Sequence, residues 1–347
     1  MIITRTPFRI TLGGGGTDLP AYYRRHGGFI FAAGLNKYMF VCLNTPIVDD
    51  LIRVKYSENE TVADVEQVRH TLARQALRHF RIQNGVEIIS MADVPAGTGL
   101  GSSSCYLVGL LNGLHTLCRK PVARHELAEE ACHIELDVLQ KPIGKQDQYM
   151  AAFGGLTVLE IDREGRVEVQ EAGLGPDVVE ELESNILLFY TGQSRSTEEI
   201  LAPQTRRLNQ EEEQVTSSLH LIKEIGREIL AELRRGNARR FGELLDDHWR
   251  AKKRLSDDIA GRRINQLYEV ARDNGAIGGK ISGAGGGGFF LFYAEEGKKQ
   301  LRKTMEAEGL REMRVRFDLE GSKVQLDFLS GEQYRALHAR MATVIHA

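Results

Sequence analysis

Pro95 to Ser104 reads P-A-G-T-G-L-G-S-S-S and runs directly into an amphipathic stretch, Cys105 to Cys118. Gly97, Gly99 and Gly101 let the backbone turn where a side chain would block it, and the serines after them are residues that cap helices. The first amides of a helix lack partners within the helix and lie at the positive end of its dipole, so such a corner attracts anions. This predicts a cradle for nucleotide phosphates. It is not a Walker A loop, because no G-x-x-x-x-G-K-[ST] string occurs in the chain. Taken alone, the stretch also fits an ordinary glycine-rich turn before a capped helix.

The 347 residues suggest about two domains of 100–200 residues. A hydrophobic share of 42% with 27% charged residues excludes a disordered chain. No apolar run approaches the ~18 residues that span a bilayer. Met1 to Pro7 alternates like a strand, without the apolar core of a secretion signal, so a cytoplasmic protein without membrane attachment is expected. Cys42, Cys105, Cys118 and Cys132 lack C-x-x-C spacing and read as buried free thiols. A formal charge of −3 argues against a nucleic-acid binder, and Arg234-Arg235 and Arg239-Arg240 read as a solvated helix face.

Strand patterns fall at Ile2–Thr6, Phe29–Ala33, Tyr38–Leu43, Ile52–Tyr56, Val86–Met91 and Leu156–Ile161, with helical spacing over Thr61–Phe80 and Arg124–Leu139. A polar connection around Gly173–Ser184 precedes the strand pattern Ile186–Tyr190, which places a domain boundary between residues 183 and 184. Beyond it come helical patterns over Gln214–Arg234, Phe241–Lys253 and Asp257–Asn274. Strand patterns follow at Gly288–Tyr293, Met313–Phe317 and Lys323–Phe328, then a terminal helix from about Glu332.

Three further segments carry candidate chemistry. Pro7 to Pro20, P-F-R-I-T-L-G-G-G-G-T-D-L-P, has four glycines between Arg9 and Asp18. A ligand approaching the backbone is the simplest explanation, and a strand bulge with a surface salt bridge is the alternative. In Glu135 to Tyr149, E-L-D-V-L-Q-K-P-I-G-K-Q-D-Q-Y, Glu135 sits near the end of a helix and Asp147 lies past a Pro-Gly turn, an arrangement suited to one metal ligand and one base. Gly283 to Gly288 satisfies G-x-G-x-x-G, but Phe289–Tyr293 after it is strand-like, whereas a dinucleotide fingerprint requires a helix there. A glycine loop entering a strand packs against a ligand or another glycine loop, and Lys280 and Ser282 could supply donors.

Together these segments resemble the GHMP kinases, a superfamily of small-molecule kinases. All three family motifs occur in order: P-x-R at Pro7 to Asp18, P-x-G-x-G-L-G-S-S at Pro95 to Ser103, and the glycine-rich motif at Lys280 to Gly288. Within the superfamily the chain is most similar to the D-glycero-D-manno-heptose 7-phosphate kinases, through Thr6–Arg9, Gly14–Asp18, Gly144–Tyr149 and Thr191–Ser196. Gly15 and Gly16 stand where galactokinases have an acid and a histidine, which enlarges the pocket floor. Mannose- or fucose-directed activity is the competitor within the class; a dinucleotide-dependent oxidoreductase and a non-catalytic sugar or nucleotide binder are the rivals outside it.

The resemblance implies an α+β, two-domain fold: a ribosomal protein S5 domain 2-like ATP-binding domain over residues 1–183 and a ferredoxin-like α/β sandwich over 184–347. It implies transfer of the ATP γ-phosphate to the anomeric hydroxyl of heptose 7-phosphate, giving a 1,7-bisphosphate for nucleotide-activated heptose and then capsule or lipopolysaccharide, with ATP and Mg2+ required and a homodimer possible. Asp147 would be the base or charge stabiliser. Arg9, which cannot be a base, would favour the developing alkoxide or keep Asp147 ionised. Pro95, Gly97, Gly99, Leu100, Gly101, Ser102, Ser103 and Ser104 would surround ATP, and Ser103 with Glu135 would hold magnesium. Gly14, Gly15, Gly16, Thr17, Asp18 and Gly285 would contact the acceptor. Arg195 is the candidate for its phosphate, with Arg24, Arg25 and Lys253 behind it.

Overall fold

Two long strands found the first sheet of the computed structural model, which describes residues 1–343 apart from Arg195, Asp257 and Asp258. β1 (Ile2–Gly13) and β2 (Gly28–Asn44) pair antiparallel, joined through α1 (Pro20–His26). Both are rich in β-branched and aromatic residues. The register shifts between Pro7 and Arg9, a bulge that re-aims the side chains beside it. β2 has two further partners: Gly28–Ala33 pairs with β6 (Leu156–Ile161), and Met39–Asn44 pairs with β5 (Val86–Ala92). β3 (Ile52–Lys55), β4 (Asn59–Val62), β7 (Val167–Glu171) and the returning β12 (Lys323–Asp327) complete eight strands. The second sheet is antiparallel and four-stranded, with β11 (Arg311–Met313), β8 (Ile186–Tyr190), β10 (Phe289–Tyr293) and β9 (Gly278–Ile281) side by side.

The helices are α2 (Thr71–His79), α3 (Ser102–Leu117), α4 (Arg124–Cys132), α5 (Gln146–Phe153), α6 (Pro176–Asn185), α7 (Thr197–Asn209), α8 (Glu213–Arg234), α9 (Ala238–Lys253), α10 (Arg262–Asp273), α11 (Lys298–Ala307) and α12 (Gly331–Thr343). α3, α5 and α8 all pack on β1, and α9 packs on β9. The chain therefore changes sheet between Glu171 and Ile186, yet one apolar cluster runs from Phe8 and Phe31 through Leu230 and Phe241 to Tyr293. We propose the 183/184 division as that change of sheet, with β12 a strand that the second half returns to the first.

Several local expectations change. The helix over Thr61–Phe80 is broken: β4 leads to a single 3-10 turn, Val65–Gln67, and α2 starts only at Thr71. Side chains divert the backbone there. Asp64 accepts from the Glu66 amide, Glu60 from the amides of Arg69 and His70, and His70 Nδ1 from that of Ala73. The two strands expected at Phe29–Ala33 and Tyr38–Leu43 are one, because Gly34 stays paired opposite Arg9. The connection around Gly173–Ser184 contains α6, opened by Pro176 at its first turn, a position that needs no amide donor. α7 tolerates an internal Pro203, and α10 starts at Arg262 instead of Asp257. The strand at Met313–Phe317 ends at Met313; Leu35 then bridges to Phe317. Cys42, Cys105, Cys118 and Cys132 are free thiols, the last three buried.

Candidate active site

The Pro95–Gly101 turn enters α3 through Gly101, whose φ of 83° is left-handed and which caps the helix without a side-chain hydrogen bond. The serines do not cap the helix. Ser103 and Ser104 instead donate to Glu135, at 2.9 and 2.7 Å. The helix terminus is thus left without a side-chain cap, as an anion cradle requires.

Glu135 reaches the serines from a π-helical turn, His133–Val138, that continues α4 and widens it at this point. Its carboxylate is fully buried. Oε1 accepts from Ser103 and from Lys141 Nζ at 3.1 Å, and Oε2 from Ser104 and from Gln148 Nε2 at 2.7 Å. Lys141 also donates to Ser103 Oγ at 3.2 Å, so its ammonium bridges the two oxygens expected to hold magnesium. A hydroxyl and a carboxylate are the hard oxygen ligands that magnesium takes, and a cation already suits the position. Among the described residues no cluster of three or more His, Cys, Asp or Glu could hold a metal by itself, so phosphate oxygens would have to complete the shell.

Arg9 is buried inside β1. Its Nε and Nη2 lie 2.7 and 2.6 Å from Asp147 Oδ1, and its Nη1 donates to Gly99 O at 2.7 Å. One guanidinium thus joins the first turn of α5, which carries Asp147, to the phosphate loop. Gln146 Nε2 also donates to Oδ1, at 3.0 Å, while Gln146 Oε1 accepts from Thr11 Oγ1. Among the described residues no hydrogen bond reaches Asp147 Oδ2. Asp18 accepts from the amides of Gly16 and Gln146 at 3.2 and 3.0 Å, and its burial raises its pKa above the usual carboxylate range.

The carboxy-terminal glycine loop closes over the phosphate loop. A Cβ on Gly283 would lie 2.6 Å from Gly99 Cα, and Ser282 Oγ donates to Gly99 O at 3.1 Å. Gly283 also has φ of 68°. Gly283→Ala therefore loses about 1–3 kcal/mol from backbone strain alone and separates the two loops. Equilibrium urea unfolding and KM for ATP check this, and native values for both would show that the loops need no such contact.

Two cavities meet at this point. The larger, about 740 Å³, is lined by Pro95, Gly97, Gly99, Gly101 and Ser102–Ser104, with Tyr56, His70 and Tyr106 also in its wall. The His70 ring is 4.6 Å from that of Tyr56 and 4.7 Å from that of Tyr106. The smaller, about 90 Å³, is lined by Thr11, Gly15, Gly16, Asp18, Gln146, Gln204, His248, Lys252 and Lys280. Arg9, Ile143, Asp147, Thr197, Gly283 and Ala284 line both. A more voluminous cavity, about 1250 Å³, lies elsewhere, between β6–β7 and the Glu312–Arg316 segment, and is lined by none of the expected site residues.

Some expected site residues lie off both cavities. Gly14 and Thr17 line neither of the two cavities that meet at Asp147: a Cβ on Gly14 would strike Phe29 O, and Thr17 Oγ1 donates to the carbonyls of Gly14 and Phe29. Leu100 is buried in the core, and Gly285 packs against Ile259. Arg25 pairs with Glu211, and Arg24 and Lys253 line neither of the two cavities either. Arg195 lies outside the described residues. Lys141, Lys252 and His248 are charged or titratable groups of the site that sequence reasoning did not assign to it, and Lys280, expected as a donor beside the glycine loop, joins them. Burial lowers the pKa of Lys280 well below that of an ordinary lysine, helped by Lys252 and Arg9, and brings Lys252 down to about 7. His248 is lowered in the same way, by burial and then by both lysines.

Comparison with known proteins places this architecture. The family model described as GHMP kinases N terminal domain matches residues 67–155, and GHMP kinases C terminal matches 229–307. The D-glycero-alpha-D-manno-heptose 7-phosphate kinase of Campylobacter jejuni subsp. jejuni serotype O:2 is 30% identical over 319 residues, covering 88% of this chain and 94% of its own. A crystal structure of a putative sugar kinase from Campylobacter jejuni superposes with a TM-score of 0.73 at 27% identity, covering 93% of this chain and 97% of its own. That of a D-glycero-D-manno-heptose 1-phosphate kinase from a Bacteroides species, at 24% identity, shares the fold with a TM-score of 0.78 and covers 95% of this chain and all of the other. No helix among the described residues is long and apolar enough to cross a membrane. With both family motif regions matched and a relative aligned along nearly its whole length, this chain belongs to the GHMP kinases and is a phosphotransferase with an alcohol group as acceptor.

Proposed function

We propose that this kinase transfers the γ-phosphate of ATP to the anomeric hydroxyl of D-glycero-D-manno-heptose 7-phosphate, giving the 1,7-bisphosphate for nucleotide-activated heptose used in capsule or lipopolysaccharide. The observation that carries this reading is the position of Asp147 at the junction of two cavities, with the phosphate loop in one and the Gly15–Gly16–Asp18 floor in the other. The likeness to the Campylobacter heptose 7-phosphate kinase supports the choice of acceptor.

In this reading the nucleotide phosphates lie against Gly97, Gly99, Gly101 and the amides opening α3, and the base lies between Tyr56, His70 and Tyr106. Ser103 and Glu135 would hold magnesium, which would supply positive charge against the β- and γ-phosphates. Asp147 Oδ2 takes the proton of the acceptor hydroxyl as its oxygen bonds to Pγ, and the Pγ–O bond to ADP breaks with its electrons leaving on ADP. Arg9 fixes the carboxylate by Oδ1 and keeps Oδ2 turned to the acceptor. Asp18, with both oxygens already held by amides, presents its remaining lone pairs to sugar hydroxyls.

A panel of acceptors with MgATP tests the reading. Heptose 7-phosphate is expected to show the highest kcat/KM, with 31P NMR placing the new phosphate on C1. A higher kcat/KM for mannose, fucose or galactose would overturn the acceptor assignment.

A further inference from the structure

The smaller cavity gathers buried basic groups from two elements of the second half of the chain. Lys280 is 2% exposed, Lys252 8%, His248 1% and Gln204 2%. Among the described residues, no carboxylate forms a salt bridge with either lysine. Lys252 donates to the backbone carbonyls of Ile281 and Gly283. Among the described residues Lys280 has two long contacts, 3.5 Å to Leu12 O and 3.4 Å to His248 Nε2, and His248 Nδ1 and Gln204 Nε2 have no hydrogen-bond partner. Buried donors in native proteins are rarely left unsatisfied, and an unpaired buried ammonium is costlier still. Two unsatisfied donors and two lysines without a carboxylate partner, from α7, α9 and β9, surround one cavity and describe a receptor for an anion. The cavity has a volume of about 90 Å³ and joins the larger one at Arg9, Asp147 and Thr197.

We propose that Lys280, Lys252, His248 and Gln204 form the seat for a phosphoryl group carried by the acceptor, at the end remote from the attacked hydroxyl. The choice of phosphate rests on the sugar-phosphate reading above; the presence of an anion seat does not. Gly99, Gly101 and the serines of the phosphate loop line only the other cavity, so the seat serves the acceptor and not ATP. The sugar then runs between this seat and Asp147, past Asp18 and the bare backbone of Gly15 and Gly16.

Two measurements test it. In steady-state kinetics, Lys280→Met and Lys252→Met should raise KM for heptose 7-phosphate by ~10- to 100-fold more than for unphosphorylated mannose, as loss of charge-assisted hydrogen bonds does. The groups facing Lys252 are Arg9 from β1, Lys280 from β9 and His248 on its own helix, with Asp18 and Asp147 as the carboxylates of the cavity. Since Lys252 is charged only below about 7, native kcat/KM for the phosphorylated acceptor falls as pH rises through that value, and Lys252→Met removes this limb. Equal effects on both acceptors, or an effect on KM for ATP alone, would overturn the proposal.

The second measurement is calorimetric titration of inorganic phosphate into the enzyme saturated with magnesium and a non-hydrolysable ATP analogue. Native protein should bind one phosphate, and Gln204→Leu, a neutral change that retains both lysines, should weaken it several-fold. No binding to native protein overturns the anion seat. Binding that Gln204→Leu weakens, combined with a preference for unphosphorylated sugars, would support the seat while refuting the heptose-phosphate reading.

Discussion

Asp147→Asn protein is expected to fold and bind ATP but to transfer phosphoryl groups at least ~10²-fold more slowly, the loss that follows removal of general-base assistance. The amide oxygen can replace Oδ1 and still accept from Arg9 and Gln146, so the architecture around Arg9 is retained. The amide nitrogen then stands at Oδ2, where it offers a donor instead of a lone pair for the hydroxyl proton. Single-turnover transfer from MgATP isolates this step from product release, and circular dichroism with ATP titration checks the fold. A transfer rate close to the native one, with the fold intact, would take Asp147 out of the chemistry and leave Arg9 and the phosphate loop to act by positioning alone.

The phosphate loop was legible because all its parts are contiguous: three glycines, then the helix, within Pro95 to Cys118. The same holds for Gly283–Gly288, where the strand pattern that follows points away from a dinucleotide fold and toward packing against a ligand or another glycine loop, and Gly283 against Gly99 is the second of these. The glycines of Gly13–Gly16 were harder to read, since close approach by a ligand and by the chain itself leave the same trace. Gly13 presses on Gly226 of α8 and Gly14 on Phe29 O, whereas Gly15 and Gly16 line the acceptor cavity.

What the sequence hides is convergence over long separations. Lys141 marked only the end of a helix, and nothing in its spacing said that it would bridge Ser103 and Glu135. α9 did hold a clue that went unused. Phe241, Leu244, Leu245, His248 and Lys252 recur with helical spacing along its buried stripe, so two polar groups occupy positions that a core-facing helix fills with apolar ones. Lys253, one residue and ~100° further round the helix, is the residue of α9 that the sequence reading offers, behind Arg195. The aromatic wall at Tyr56, His70 and Tyr106 was concealed by the helix expected over Thr61–Phe80, which would have carried His70 along its face instead of beneath the bend that Glu60 holds.

Glu135→Gln should produce the second large effect, in both stability and rate. Four donors converge on the Glu135 carboxylate, two on each oxygen. An amide supplies only one accepting atom, so either Ser103 and Lys141 or Ser104 and Gln148 must face an N–H. A buried donor left without an acceptor costs about 1–3 kcal/mol, and this position is fully buried. If Glu135 holds magnesium as proposed, the variant also loses one anionic oxygen of the metal shell. Transfer should then slow by ~10²-fold at ordinary magnesium, on the scale seen when one electrostatic stabiliser of a transition state is removed. Raising free magnesium should restore part of that loss, whereas it would restore nothing if the carboxylate served only to tie α4 to α3. Rate against free magnesium at fixed ATP, measured beside urea unfolding, separates the two roles. A destabilised variant whose magnesium dependence matches that of the native enzyme would leave Glu135 as a structural tie and move the metal to Ser103 and the phosphates alone.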